Sequence, residues 1–153
     1  MKFAVLVVVV ALAGCPPNEP IMPHGAASAG GAAPSVDYTW KIIGHVLTPD
    51  ASIDERDATA WNGREIAVTK TSYASPFQGT CEAAGRVRRN RSLEEVVAEV
   101  NAPRSVVADF ALADPIVEFR LTCRDRGKPS LAMYVGAERA LTCFGGVCYV
   151  LRR

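Results

Sequence analysis

Residues 116–124 (IVEFRLTCR) alternate without a break, with Val117, Phe119, Leu121 and Cys123 on one side and Glu118, Arg120, Thr122 and Arg124 on the other. Successive strand side chains point to opposite faces, so this pattern predicts an antiparallel strand with one face in a core and one in water. Such a strand needs partners, and the chain offers them. Segment 38–47 (YTWKIIGHVL) sets Trp40, Ile42 and Val46 against Lys41 and His45, and 65–71 (EIAVTKT) places Ile66 and Val68 on one face. Segments 105–112 (SVVADFAL), 131–135 and 139–151 extend the set, with turns at Asp114-Pro115 and Gly127-Lys128-Pro129. Ser52-Ile53-Asp54-Glu55 has the pattern of a capping box, and Ile53, Ala60 and Trp61 fall near one helical face before Asn62-Gly63 stops the turn. Ser92-Leu93-Glu94-Glu95 repeats the box, followed by Leu93, Val96, Val97 and Val100 at amphipathic-helix spacing and a stop at Asn101-Ala102-Pro103. The sum is a mainly β chain of five or six short strands with one or two short helices. Sequential hairpins of that kind close into a small antiparallel β-barrel or pack as a sandwich.

Composition narrows the class. Hydrophobic residues make up 49% and charged residues 22%, near the globular averages, which excludes wholesale disorder, collagen-like structure and a polytopic membrane protein. Lys plus Arg is 17 against 16 for Asp plus Glu, so no global charge draws the chain to nucleic acid, and no nucleic-acid partner is expected.

The N-terminus carries an address. Lys2 precedes 3–13 (FAVLVVVVALA), an apolar run of 11 residues. At ~1.5 Å per residue it covers about half of a ~30 Å hydrocarbon core, the size of a signal-peptide h-region rather than of a span. It ends in Leu12-Ala13-Gly14-Cys15, which resembles the lipobox of bacterial lipoprotein precursors. That resemblance implies cleavage after residue 14 and a diacylglycerol, palmitate-type anchor on Cys15, the lipidation site, with no other cofactor. An odd total of five Cys fits, because setting Cys15 aside leaves four to pair. The implied location is the bacterial cell envelope, and Pro16, which is not an inner-membrane retention aspartate, favours the outer membrane facing the periplasm. Residues 15–35 then read as the lipidated Cys and a Pro/Gly/Ala-rich linker that includes His24, and 36–153 as one disulfide-stapled β-rich domain.

Within that domain, Trp40 on the first strand, Trp61-Asn62-Gly63-Arg64 after a helix, Gly79-Thr80-Cys81 after a strand and a terminal hairpin ending Tyr149-Val150-Leu151-Arg152 together resemble small lipocalin-like bacterial lipoproteins. The Gly-x-Trp usual in that family is missing before Trp40, and helices interrupt the meander. The resemblance implies a barrel that holds a small apolar ligand between side chains such as Trp40, Phe119 and Met133.

Cys81, Cys123, Cys143 and Cys148 allow three pairings. A two-residue Gly145-Gly146 turn sets Phe144 opposite Val147 and Cys143 opposite Cys148, at a separation of roughly 4.5 to 5.5 Å that accepts a disulfide. Cys81 with Cys123 is the remainder. A Cys₄ metal site competes, but no CxxC spacing is present, and no metal is expected. The domain holds a single His, His45, and no G-x-S-x-G, H-E-x-x-H, P-loop or G-x-G-x-x-G, so nothing nominates an enzyme. Arg86, Arg88, Arg89 and Arg91 put four guanidinium groups in six residues, either a solvated loop before the second helix or an anion- or partner-binding patch. The leading expectation is a membrane-anchored, non-catalytic binding domain for a small apolar ligand. The alternative is a protein-binding lipoprotein, an inhibitor or envelope-assembly factor, that uses the arginine patch. The third is a hydrolase built on His45.

Overall fold

The computed structural model describes residues 36–109, 116–125 and 127–153. The expected signal, lipobox and linker, with Cys15 and His24, lie outside the described residues, as does the Asp114-Pro115 turn. The chain runs β1 (Thr39–Leu47), α1 (Glu55–Ala60), β2 (Glu65–Val68), β3 (Ser72–Ser75), β4 (Gly79–Arg91), α2 (Leu93–Val100), α3 (Arg104–Ala108), β5 (Ile116–Cys123), β6 (Leu131–Val135), β7 (Arg139–Phe144) and β8 (Val147–Arg152). Each strand pairs antiparallel with the next, and β1 also pairs with β8, so the sheet closes into an eight-stranded barrel in sequence order. Of the two architectures the pattern allows, the barrel forms. Bulges at Ile42/Gly44 in β1 and Ala83/Gly85 in β4 supply the local bending that closure requires.

Alternation now acquires an inside and an outside. Trp40, Ile42, Ile66, Tyr73, Phe119, Leu121, Met133, Tyr149 and Leu151 point inward and form one buried cluster. An eight-stranded barrel is just wide enough for side chains to fill. A second cluster lies on the outer wall, where Val96 of α2 and Val107 of α3 cover Ile116, Tyr134, Leu141 and Cys148.

Several expectations change. Eight strands form where five or six were read, because β3 is only four residues long and carries no apolar run. The pattern of segment 105–112 predicts a strand, yet Arg104–Ala108 is a helix. Pro103 sets its start and burial of Val107 outweighs the small helix penalty of two β-branched residues. The first helix is capped two residues later than the box pattern placed it: Asp54 accepts from the Asp57 N–H at 2.8 Å, while the Ser52 hydroxyl donates to the Gly145 carbonyl at 3.1 Å. The second box forms as read, Ser92 accepting from the Glu95 N–H and Glu95 from the Ser92 N–H.

Both disulfides join the expected cysteines, Cys81 to Cys123 and Cys143 to Cys148. Cys143 faces Cys148 and Phe144 faces Val147 in the β7–β8 ladder. Gly145 and Gly146 both hold positive φ, 59° and 74°, as a tight hairpin turn of this hand demands. A Cβ at Gly146 would collide with the backbone of Ala51, because the β1–α1 loop packs directly on this turn through the Thr48 N–H to Gly146 carbonyl bond of 2.8 Å.

Candidate functional site

The barrel has two ends of different chemistry. At one end, Trp61 after α1, Phe77 in the β3–β4 turn, Phe144 and Tyr149 form an aromatic plug with ring centroids 5.0 to 5.5 Å apart in its closest pairs. His45 borders it, 6.2 Å from the Tyr149 ring. Its Nδ1 lies 3.2 Å from Asn62 Oδ1 and its Nε2 3.0 Å from Glu55 Oε1. Both ring nitrogens are therefore engaged by residues of the α1 segment, which leaves neither free to take a proton from a nucleophile. Nothing among the described residues indicates catalysis, and no group of three His, Cys, Asp or Glu gathers there that could hold a metal. The Tyr149 hydroxyl, by contrast, is buried without a hydrogen-bond partner among the described residues, and burial pushes its pKa up.

At the other end the chain enters. Val36 is fully buried and its carbonyl accepts the Trp40 indole N–H at 3.1 Å. Arg86 reaches across the opening to grip both oxygens of Asp37 and to donate to the Thr69 carbonyl at 3.2 Å. The guanidinium groups of Arg86 and Arg88 lie 5.8 and 5.9 Å from the Phe119 ring centroid, and Arg153 stacks 4.1 Å over Tyr38.

Trp40, Phe119 and Met133 do come together inside, as a ligand-lined barrel would need. They do so as members of the packed cluster, 0, 5 and 0% exposed. The arginine run is not a loop. It is the second half of β4, and the pleat splits it: Arg86 and Arg88 pair with the inward Leu121 and Phe119, whereas Arg89 pairs with the outward Glu118 and Arg91 shares its face.

The outward pair belongs to a centre that the sequence did not disclose. Glu118 has a side chain only 1% exposed and accepts from Arg89 (2.6 and 3.0 Å), Arg91 (2.7 Å) and Arg120 (3.0 and 2.8 Å). Burial pushes the Glu118 carboxyl up, but the hydrogen bonds from Arg89, Arg120 and Arg91 outweigh it and hold the pKa down at about 2. Glu99 of α2 accepts from Arg91 at 2.7 Å and from Arg120, which ties the helix to the wall. The available signal was the spacing of Arg89 and Arg91 by two, matching Glu118 and Arg120, but only the β4–β5 register brings the pairs face to face. Next to this network an open polar groove of about 320 Å³ lies between the α2 C-terminus and the β7–β8 turn, lined by Thr48, Asp50, Asn101, Arg120 and Tyr134.

No protein-family model matches the chain, and neither a curated protein nor a solved structure is significantly similar to it.

Proposed function

We propose that the chain is an envelope lipoprotein, anchored through acyl chains on Cys15 in the outer membrane and facing the periplasm, whose barrel binds a protein partner on its outer surface without transforming it. One observation carries the choice over a small apolar ligand. The side chains that would line such a ligand, Trp40, Phe119 and Met133, are already packed against one another and against the rest of the interior. The contact face best suited to a partner is the middle of β4, where Val87 is 55% exposed. On the same outward face Arg89, two positions along, keeps its side chain 51% exposed while its guanidinium is bonded to Glu118. An exposed apolar side chain next to a guanidinium group suits a protein surface that presents a carboxylate.

A photo-cross-linking residue at Val87 of the full chain, expressed in bacterial envelopes, tests this. We expect one discrete protein adduct, lost on Thr122→Glu, an exposed outward position beside Val87 across the β4–β5 ladder, while the melting temperature is kept. Saturable uptake of an apolar fluorophore with quenching of Trp40 would return the small-ligand reading, and hydrolysis abolished by His45→Ala would return the enzyme reading. The anchor is tested separately: Cys15→Ser abolishes labelled-palmitate incorporation if Cys15 carries the lipid.

A further inference from the structure

A row of like charges crosses the outer wall at the end where the chain enters the barrel. Lys41 of β1 stands directly opposite Arg152 of β8, and Arg152 directly opposite Arg139 of β7. All three share the outward face, since their neighbours Ile42, Leu151 and Ala140 are buried. Like charges placed opposite each other in a sheet destabilise it. The flanking carboxylates relieve this row only at its two ends. Glu65 faces Lys41 from the far side, and Asp109 meets Arg139 only at 4.0 Å with both groups exposed. Glu138, whose carbonyl accepts from the Arg153 N–H at 3.4 Å, lies near the rim as well. Arg152, in the middle, has no ion pair among the described residues.

The surroundings of the row point to an interface. Ile43, next along β1 and pushed outward by the bulge, is 42% exposed, and Tyr38 at the rim is 43% exposed beneath the Arg153 guanidinium. Cations beside an amphipathic aromatic and an exposed aliphatic side chain match the headgroup layer of a membrane. Val36, where residues 1–35 join the barrel, lies three residues before β1, so this rim is the end of the domain at which the chain from Cys15 arrives. The middle strand of the row, β8, is also four strands from β4 in either direction around the barrel, and β1 and β7 are three, which leaves the face assigned to a partner clear.

We propose that the rim built on Lys41, Arg152 and Arg139 docks on the phosphate headgroups of anionic phospholipid in the membrane that holds Cys15. The proposal rests on acylation of Cys15. Docking turns a tethered barrel into an oriented one, with β4 directed away from the lipid contact. Each cation near an anionic surface favours the docked state by about fivefold, so three favour it on the order of a hundredfold, and salt screens the effect.

The test uses the full acylated chain with a photo-cross-linking residue at Ile43, reconstituted in vesicles of phosphatidylcholine alone or with phosphatidylglycerol. Phospholipid adducts should be at least about fivefold more abundant on the anionic vesicles and should fall to the neutral level in high salt. The variant Arg152→Glu separates docking from folding, because it places a carboxylate between Lys41 and Arg139. It should melt no lower than the parent and should lose the adducts. Equal adduct yields on both vesicles, with the chain retained on each, would overturn the docking while leaving the anchor standing. A chain that stays with neither vesicle would overturn the anchor and the docking together.

Discussion

At Glu118 and Phe119 the two faces of β5 are sealed from water almost equally, and by different physics. On the inner face Phe119 is 5% exposed among apolar neighbours. On the outer face the Glu118 side chain is 1% exposed beneath three guanidinium groups. The inner contact is non-directional, and burying each such side chain stabilises by roughly 1.5–3 kcal/mol. The outer contact must offset the cost of drying a carboxylate, which it does only because Arg89, Arg91 and Arg120 satisfy both oxygens at once. Burial and apolarity are thus separate properties of this barrel: one face depends on volume and the other on charge count.

Substitutions can break each side of that contrast. The largest effect is expected inside. Trp40→Ala removes a fully buried ring and the indole bond to Val36, and should destabilise by about 3–5 kcal/mol in chemical denaturation, whatever the pH between 5 and 8. Outside, Glu118→Gln keeps the shape and removes the charge, and should destabilise by about 2–4 kcal/mol at neutral pH. Its signature is the pH dependence. The folded Glu118 carboxyl sits at about 2 against an ordinary 4.5, so its contribution, on the order of 3 kcal/mol, is complete above pH 5 and fades as pH falls from there toward 2. Parent and Gln variant should therefore converge in stability on acidification, whereas parent and Trp40→Ala should stay apart. Were the Gln gap unchanged at pH 3, charge would not be what seals the outer face.

Smaller effects sharpen the comparison. Ser92→Ala removes the cap that starts α2, the helix that carries Glu99 to the network, and should destabilise by about 1 kcal/mol with a loss of helical circular dichroism. At the bottom, Arg88→Ser should shift stability by less than about 0.5 kcal/mol, while Arg91→Ser, which takes a partner from both Glu99 and Glu118 on the other face of the same strand, should cost several times more. Equal effects at the two positions would mean that the pleat does not divide the run as described.

The inner face was the legible one. Period-two alternation in 116–124 and the Gly-Gly turn contain their own register, so the strand, the hairpin and the Cys143–Cys148 bridge follow from local residues. The arginine run shows where that reasoning stops. A strand whose polar and charged side chains occupy both faces has no apolar period, and β4 shows nothing of its length until β5 is set beside it. The same holds for Lys41, Arg139 and Arg152, which stand far apart in the chain and are neighbours only once the barrel closes. Segment 105–112 failed for another reason: Val106 and Val107 carry strand propensity, and tertiary burial overrode it.

Closure by β1 against β8 also sets an order of events. The ladder joins positions about 110 residues apart, such as Lys41 and Arg152. A ribosome or a translocation pore delivers the chain N-terminus first, at about 5–20 residues per second, so β1 waits on the order of ten seconds before its second partner exists. Through that interval Trp40 and Ile42 lack Tyr149 and Leu151 of β8, which complete their cluster, and the half-built sheet offers two open edges to any neighbour. The slow, vulnerable phase of this barrel is its birth, because both edges stay open until β8 arrives to close them against each other.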